Sequence, residues 1–417
     1  MVARSNLTDR TVPASSTDHR PLAVFRDADW LNGQRARGYG LILLTIMALI
    51  AMGWAGYAAL HGGLDAIGKP VGVDYPSFWA ASKLALQGKA AQAYDMDAHF
   101  QVQKDAFGGA PIGYSAFFYP PPYLLVCLPL ALLAYTPSLI VWLTATGVMA
   151  RQALRPLLDD RDSLLVLAAF PAVLSNLAHG QNAFLTTALS AYGLTRIDKR
   201  PWLAGLVLGV LVIKPHLALV LPFALAATGR WRTFLATGFA AVALCAASWL
   251  VFGSEVWTGF LAASPIARAA LEQNLVGDEK MQSAFAAIRL LGGPLWLGWA
   301  VQGITSLAAI ATLTWAGGKT TDVLAQASLT ACAALLASPF LLDYDLMLAA
   351  LPLLWLLREG RATGFLSWEK TGLLAAFLLP LVSRLIGAGL HLPMAPLVLA
   401  GLFALVVRRA ISSDSRR

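Results

Sequence analysis

Residues 39–60 read YGLILLTIMALIAMGWAGYAAL, with no charged side chain and no proline. About 20 residues of α-helix, each rising 1.5 Å, cross a hydrocarbon core of ~30 Å. The run therefore reads as a transmembrane span. Residues 1–38 before it are polar and of mixed charge, too long and too acidic for the leading segment of a cleaved signal. The span is expected to remain as an uncleaved anchor.

Working outward, comparable apolar runs recur near 120–150, 163–179, 182–197, 201–213, 216–228, 232–252, 291–315, 322–342, 344–358, 370–389 and 393–409. The second is overlong and holds Pro129 and Pro137, so it reads as one broken helix or as two half-helices. Over all 417 residues, 58% are hydrophobic and 13% charged. Soluble chains carry about 25% charged residues, and half that density cannot clothe a surface in water. Mean hydropathy is +0.63. The expected fold class is all-α: a polytopic integral membrane protein of about 12 transmembrane helices with a long first outer loop.

The formal charge of +8 does not signal nucleic acid, because the basic residues sit in short clusters between apolar runs. With the amino terminus inside, most of the 31 Lys and Arg residues fall in segments on that same side. This follows the positive-inside rule and makes both termini cytoplasmic. The expectation is a multi-pass protein of the cell (inner) membrane. Residues 1–38 read as a cytoplasmic polar tail without order, 39–409 as a single transmembrane domain, and 410–417 as a basic cytoplasmic tail. Cys127, Cys245 and Cys332 lie inside apolar runs, with neither pairing nor metal-ligand spacing.

Two outer segments, 61–119 and 253–290, are too long to be mere connectors. In the first, Pro76 opens and Gly88 closes a helix, and 91–107 forms a second. Both read as amphipathic helices at the membrane surface, or as a small soluble cap.

This topology places Asp74, the His179-Gly180-Gln181-Asn182 turn, Lys214-Pro215-His216 and Asp343-Tyr344-Asp345 at outer span ends. Ionisable groups at membrane depth cost up to about 2.5–3.5 kcal/mol each, so they usually pair or face a watery cavity. Four polar turns on one side point to an outward-facing pocket. Each also has a plain reading: Asp74 as an acid preceding a helix, 179–182 as a connecting turn, Lys214 snorkelling to headgroups, and Asp343 with Asp345 as a solvated turn. No Walker loop, dinucleotide glycine fingerprint, His-Glu-x-x-His or Gly-x-Ser-x-Gly is present. Gly205-x-x-x-Gly209 reads as a close helix contact.

Val73-Asp74-Tyr75-Pro76-Ser77-Phe78-Trp79 with Tyr94-Asp95 resembles the opening of glycosyltransferase family 87, formerly DUF2029. Tyr119-Pro120-Pro121-Pro122-Tyr123 with Leu128-Pro129-Leu130 is similar to that family's "YPP…PL" segment. Gly180-Gln181-Asn182, Lys214-Pro215, Gly229-Arg230-Trp231-Arg232 and Ser338-Pro339…Asp343-Tyr344-Asp345 follow in the family's order, over about residues 70–360. The resemblance implies a GT-C-like architecture with an extracytoplasmic site. It also implies transfer of a hexose, mannose in characterised relatives, from a polyprenyl-phosphate donor to a glycolipid or glycan acceptor, with inversion. Asp74 would be the general base. Where some relatives carry a Ser-Pro…Trp-x-His-type motif, this chain has Asp343-Tyr344-Asp345, and no histidine role carries over.

Displacing a polyprenyl phosphate needs the acceptor hydroxyl deprotonated as it attacks, which a carboxylate within hydrogen-bond reach accelerates by ~10²–10⁴. The departing phosphate needs cationic or hydrogen-bonding partners. Lys214 is the expected cation, with His216 and Gln181 as helpers. Tyr75, Lys83, Tyr119, Asn182, Asp343, Tyr344 and Asp345 complete the expected substrate pocket. The chemistry calls for no metal or other cofactor; a divalent ion on Asp343 and Asp345 is the alternative. A secondary transporter or lipid flippase is the competing function, although such proteins tend to show repeated halves and midplane sites.

Overall fold

The computed structural model describes residues 21–414. It is all-helical, and among the described residues the sole non-helical pairings are two isolated bridges, Leu64 with Pro70 and Met281 with Leu342. A short α1 (Pro21–Asp27) precedes α2 (Gly33–Leu60). Asn32 caps α2 by accepting from the Arg35 amide at 3.0 Å, so the anchor helix starts ahead of its apolar run. The segment 61–119 contributes α3 (Tyr75–Leu86), a 3₁₀ turn at Ala90–Tyr94 and α4 (Met96–Ala106). After it come α5 (Pro122–Cys127), α6 (Tyr135–Leu154), α7 (Arg161–Ala168), α8 (Pro171–His179) and α9 (Ala183–Thr195). Next are α10 (Pro201–Gly209), α11 (Pro215–Ala218), α12 (Leu221–Ala227), α13 (Trp231–Phe252) and α14 (Ser254–Glu272). The chain closes with α15 (Ala284–Leu290), α16 (Leu295–Gly317), α17 (Val323–Ala337), a 3₁₀ segment at Asp343–Ala349, α18 (Ala350–Thr363), α19 (Glu369–Leu390) and α20 (Met394–Asp414).

Five helices are long and apolar enough to cross a membrane, and the pair α7–α8, bent by 44°, makes a sixth if counted as one span. Twelve were expected. The difference lies in prolines, which open α5, α8, α10, α11 and α12 and so cut apolar sequence into short pieces. The 120–150 run is two pieces, broken after Leu132. Large apolar side chains stay exposed along the long helices, among them Leu235, Phe239, Val242 and Leu250 of α13 and Ile304 and Leu307 of α16. Such a surface suits hydrocarbon rather than water.

The centre is α17, buried from Ala327 through Ala337 by small residues that admit neighbours on every side. Gly205 and Gly209 of α10 abut α13. A Cβ at either would lie 2.5 Å from that of Ala236 or Ala240, the close approach expected of the Gly-x-x-x-Gly pattern.

The segments expected inside gather at one end. There Arg37 pairs with Asp162 at 2.8 Å, Arg361 with Asp160 at 3.0 Å and Arg358 with Asp159 at 3.1 Å. Residues 21–38, expected to lack order, form α1, a short turn and the start of α2, and dock here: the Trp368 amide and the Thr371 hydroxyl donate to the Arg26 and Phe25 carbonyls. The rest of that disorder expectation, 1–20, and the end of the basic tail, 415–417, lie outside the described residues.

At the opposite end α3 is not a surface helix. Tyr75 through Phe78, Ala80 through Ser82 and Leu84 are buried, because Phe78 packs edge-on against Tyr119, Tyr123 and Trp142. The 253–290 segment holds a 19-residue helix, α14, whose Phe260 ring sits 5.8 Å from that of Tyr94.

Candidate active site

Two glycines set the position of Asp74. Gly72 (φ +70°) and Gly180 (φ +64°) turn with positive φ, and a Cβ on Gly180 would lie 2.7 Å from Tyr75 Cβ and 3.1 Å from Gly72 Cα. The bare contact lets two backbones meet. The Asp74 amide donates to the His179 carbonyl at 3.0 Å and the Val73 amide to the Ala178 carbonyl at 3.3 Å. A brace from the other side holds the same corner. Ser115 Oγ donates to the Val73 carbonyl at 2.7 Å, and the buried His99 lies with Nε2 3.0 Å from the Ser77 carbonyl. That contact requires the proton on Nε2, leaving Nδ1 to accept from Gln103 at 3.1 Å. Burial pushes His99 down to about 4, so the neutral ring is the resident form.

Asp74 stands at the N-cap of α3, yet its side chain caps no α3 amide. The carboxylate turns away to Gln181, whose Nε2 donates to Oδ2 at 3.2 Å. Asp74 thus keeps the place at a helix N-terminus that its plain reading gave it, and adds to it a side-chain contact with another turn. Gln181 Oε1 accepts from the Tyr119 hydroxyl and from the Asn182 amide, both at 3.1 Å. Lys214 Nζ donates to Asn182 Oδ1 at 3.2 Å and to Asp345 Oδ1 at 2.5 Å. Asp345 Oδ2 accepts from the Leu342 amide at 3.2 Å. A continuous polar chain thus runs from Asp74 through Gln181, Asn182 and Lys214 to Asp345. The Tyr344 ring lies beside it, 5.1 Å from Lys214 Nζ and 5.5 Å from the His179 ring.

These groups are buried: Lys214 is 4% exposed, Asp345 2% and Asp343 6%. Lys214 does not snorkel, and 343–345 is not a solvated turn. Burial pushes the Asp74 carboxyl above the usual carboxylate range, opposed by His179, by the Gln181 hydrogen bond and by Lys280. Asp343 acts on Asp74 in the same direction as burial. Among the described residues Asn182 Nδ2, the Tyr123 hydroxyl and His216 Nε2 are buried without a hydrogen-bond partner. Unsatisfied buried polar atoms are rare in folded proteins, and here they suit a polar ligand.

The expected residues are not all brought together. Tyr75 points its hydroxyl at Ser138, 2.6 Å away, as part of the packing between α3 and α6. Lys83 lies over the Trp79 ring at 5.9 Å, far along α3 from Asp74. His216 follows Lys214 closely in sequence but packs against Phe340. Lys280 was not singled out from sequence. It joins the site because Met281 bridges to Leu342 and the Gln282 amide donates to the Leu341 carbonyl at 2.7 Å, laying its loop beside Asp343. Its sole signal in the sequence was being a cation in a long outer segment. Among the described residues no group of three or more His, Cys, Asp or Glu is placed to hold a metal ion.

No curated protein and no solved structure matches the chain. The model of one family, glycosyltransferase family 87, matches residues 117–339, more than half of the sequence. The matched stretch includes Tyr119, Gln181, Asn182 and Lys214, the middle of the polar chain, while Asp345 lies six residues beyond it and Asp74 lies 43 residues ahead of it. The chain belongs to glycosyltransferase family 87 and, with its long apolar helices, is a membrane glycosyltransferase.

Proposed function

We propose that the protein transfers a hexose, mannose by the family resemblance, from a polyprenyl-phosphate-linked donor to a lipid-linked or glycan acceptor, with inversion, at the extracytoplasmic face. The observation that carries this reading is the hydrogen-bonded chain from Asp74 to Lys214, which sets a carboxylate and a cation into one buried site. The acceptor oxygen attacks the anomeric carbon, its proton passes to Asp74, and the bond to the phosphate oxygen breaks with the electron pair leaving on the phosphate. Among the described residues Asp74 accepts a side-chain hydrogen bond from Gln181 alone, and so keeps lone pairs for the acceptor hydroxyl. Lys214 uses two of its three N–H donors on Asn182 and Asp345, and the third serves a phosphate oxygen. Lys280 adds a second positive charge near the reacting centre.

Asp74→Asn in purified protein supplied with polyprenyl-phosphate sugars is expected to lose ~10²–10⁴-fold in transfer. Full transfer by that variant ends the general-base assignment. The side of the membrane is tested on a chain lacking its native cysteines. An impermeant thiol reagent should reach a cysteine at the exposed position 89 from outside, and one at exposed 319 only after permeabilisation.

A further inference from the structure

The Gly229-Arg230-Trp231-Arg232 run takes no part in the polar chain and lies at the other end of the bundle. α10 and α13 pack side by side in the same direction, so their first turns meet. Thr233 Oγ1 donates to the Pro201 carbonyl at 3.1 Å, which sets Lys199-Arg200-Pro201-Trp202 beside Arg230-Trp231-Arg232. Arg230 ties these turns to the next helices. It pairs with Asp198 and donates to Gln326 Oε1 at 3.1 Å, while Gln326 Nε2 donates to the Gly317 carbonyl of α16 at 3.1 Å. Lys199, Arg200 and Arg232 are exposed, and among the described residues no carboxylate pairs with them. The adjoining α16–α17 turn adds the exposed Lys319, and its Asp322 accepts from the Leu324 amide at 2.9 Å.

These cations gather where local structure does not favour them. Arg200 immediately precedes α10, and Arg232 sits in the first turn of α13. The amino end of a helix carries partial positive charge, which disfavours a cation there. Elsewhere at this end the charges are matched: Asp162, Asp160 and Asp159 neutralise Arg37, Arg361 and Arg358. The excess sits on the α10–α13 side.

Tryptophans fix the depth of that excess. Trp202 and Trp231 are more than half exposed, and so is Trp315, near the end of α16 where Gly317 abuts Thr228. α13 carries a second exposed tryptophan, Trp249, 18 residues after Trp231. α16, running the other way, carries Trp296 19 residues before Trp315. At 1.5 Å per residue each pair spans about 27–29 Å, close to the thickness of a hydrocarbon core. Tryptophan gathers at the edges of that core, which puts Lys199, Arg200 and Arg232 at headgroup level. We propose that these three residues form a docking surface for the headgroups of anionic phospholipids, with Trp202 and Trp231 seated at the top of the acyl chains. Lys and Arg offer N–H donors to phosphate oxygens, and a headgroup of net negative charge balances theirs where a zwitterionic one does not. The surface stands whether or not Asp74 takes the proton in transfer.

The test is native mass spectrometry of the full-length protein, with dioleoylphosphatidylglycerol and dioleoylphosphatidylcholine as separate probes. The anionic lipid is expected to bind at lower concentration. One cation near an anionic surface strengthens attraction about fivefold. Lys199→Gln, Arg200→Gln and Arg232→Gln together should therefore weaken phosphatidylglycerol binding about 100-fold and leave phosphatidylcholine unchanged. Arg37→Gln, on the neutralised side, should alter neither. Equal affinity for the two lipids, undiminished phosphatidylglycerol binding by the triple variant, or an equal loss in Arg37→Gln would each overturn the surface. Displacement of the lipid by inorganic phosphate at equal concentration would do so too, by marking a small-anion site. If the triple variant does not fold, Arg232→Gln alone should cost about fivefold, and no loss there rejects the proposal.

Discussion

Two buried ion pairs, one at each end of the bundle, are built to opposite specifications. At the end that holds α1, Arg409 donates to both oxygens of Glu369, to the Glu359 and Gly364 carbonyls and to Thr363 Oγ1, while Glu369 also accepts from the Leu366 amide. That pair is saturated and ties α18, α19 and α20 together. At the other end, among the described residues, Lys214 makes two hydrogen bonds, and its surroundings hold buried polar atoms without partners. A buried charge pair with every valence filled serves as a fastener. One with valences left over has room for a ligand.

The largest effect expected from breaking this comparison is on stability. Arg409→Met strands a buried carboxylate and frees two carbonyls, and should lower unfolding free energy by about 3–5 kcal/mol. Transfer per folded molecule should stay unchanged. Denaturant unfolding paired with an active-fraction assay checks both, and loss of turnover in the folded fraction would deny the fastener role.

The end that holds the candidate site has its own brace in His99, and acid should find it. A ring held down to about 4 in the fold, against about 6.5 in the unfolded chain, is neutral in both states at high pH. As pH falls below ~6.5 the unfolded state takes up the proton and the folded state does not, so stability drops until about pH 4. The loss is about 3 kcal/mol over that window. His99→Gln should flatten this part of the stability–pH curve, and an unchanged slope would remove His99 from the account.

Lys214→Met should reduce transfer about 100-fold, near 2.7 kcal/mol of transition-state stabilisation. Its effect on melting should be smaller than that of Arg409→Met, since it removes two hydrogen bonds rather than five. Lys319→Met, on an exposed turn at the far side of the sequence-derived topology, should change neither. If Lys214→Met acts mainly on stability, the two pairs are of one kind and the contrast fails.

How much of this was visible in the chain itself follows from physics. Asp74, Gln181, Asn182, Lys214 and Asp345 stood out because polar residues at the ends of apolar runs are expensive there. Gly205 and Gly209 stood out because only close helix packing explains their spacing. Lys280 did not, since its part depends on one bridge between residues 281 and 342 that no local pattern announces. The burial of α3 was hidden for a similar reason: its alternation of Trp79 and Leu86 with Lys83 suits a membrane surface until Phe78 is seen enclosed by rings from other segments. The count of twelve is not confirmed by the long helices, because prolines that open helices look, in hydropathy, like prolines inside them.

The smallest expected effect is also the most diagnostic for Asp74. Burial raises its carboxyl, and Gln181 and His179 oppose that rise. Gln181→Leu deletes a hydrogen bond that favours the charged form, so the carboxyl must rise further. A general base works only when deprotonated, so the acid limb of kcat/KM should move to higher pH, with turnover on the plateau altered far less than by Asp74→Asn. Gln181 also accepts from Tyr119 and Asn182, and a purely structural role would lower the plateau without moving the limb. A shift of the limb toward lower pH would contradict the sign of the interaction and, with it, the assignment of Asp74 as the group that takes the proton.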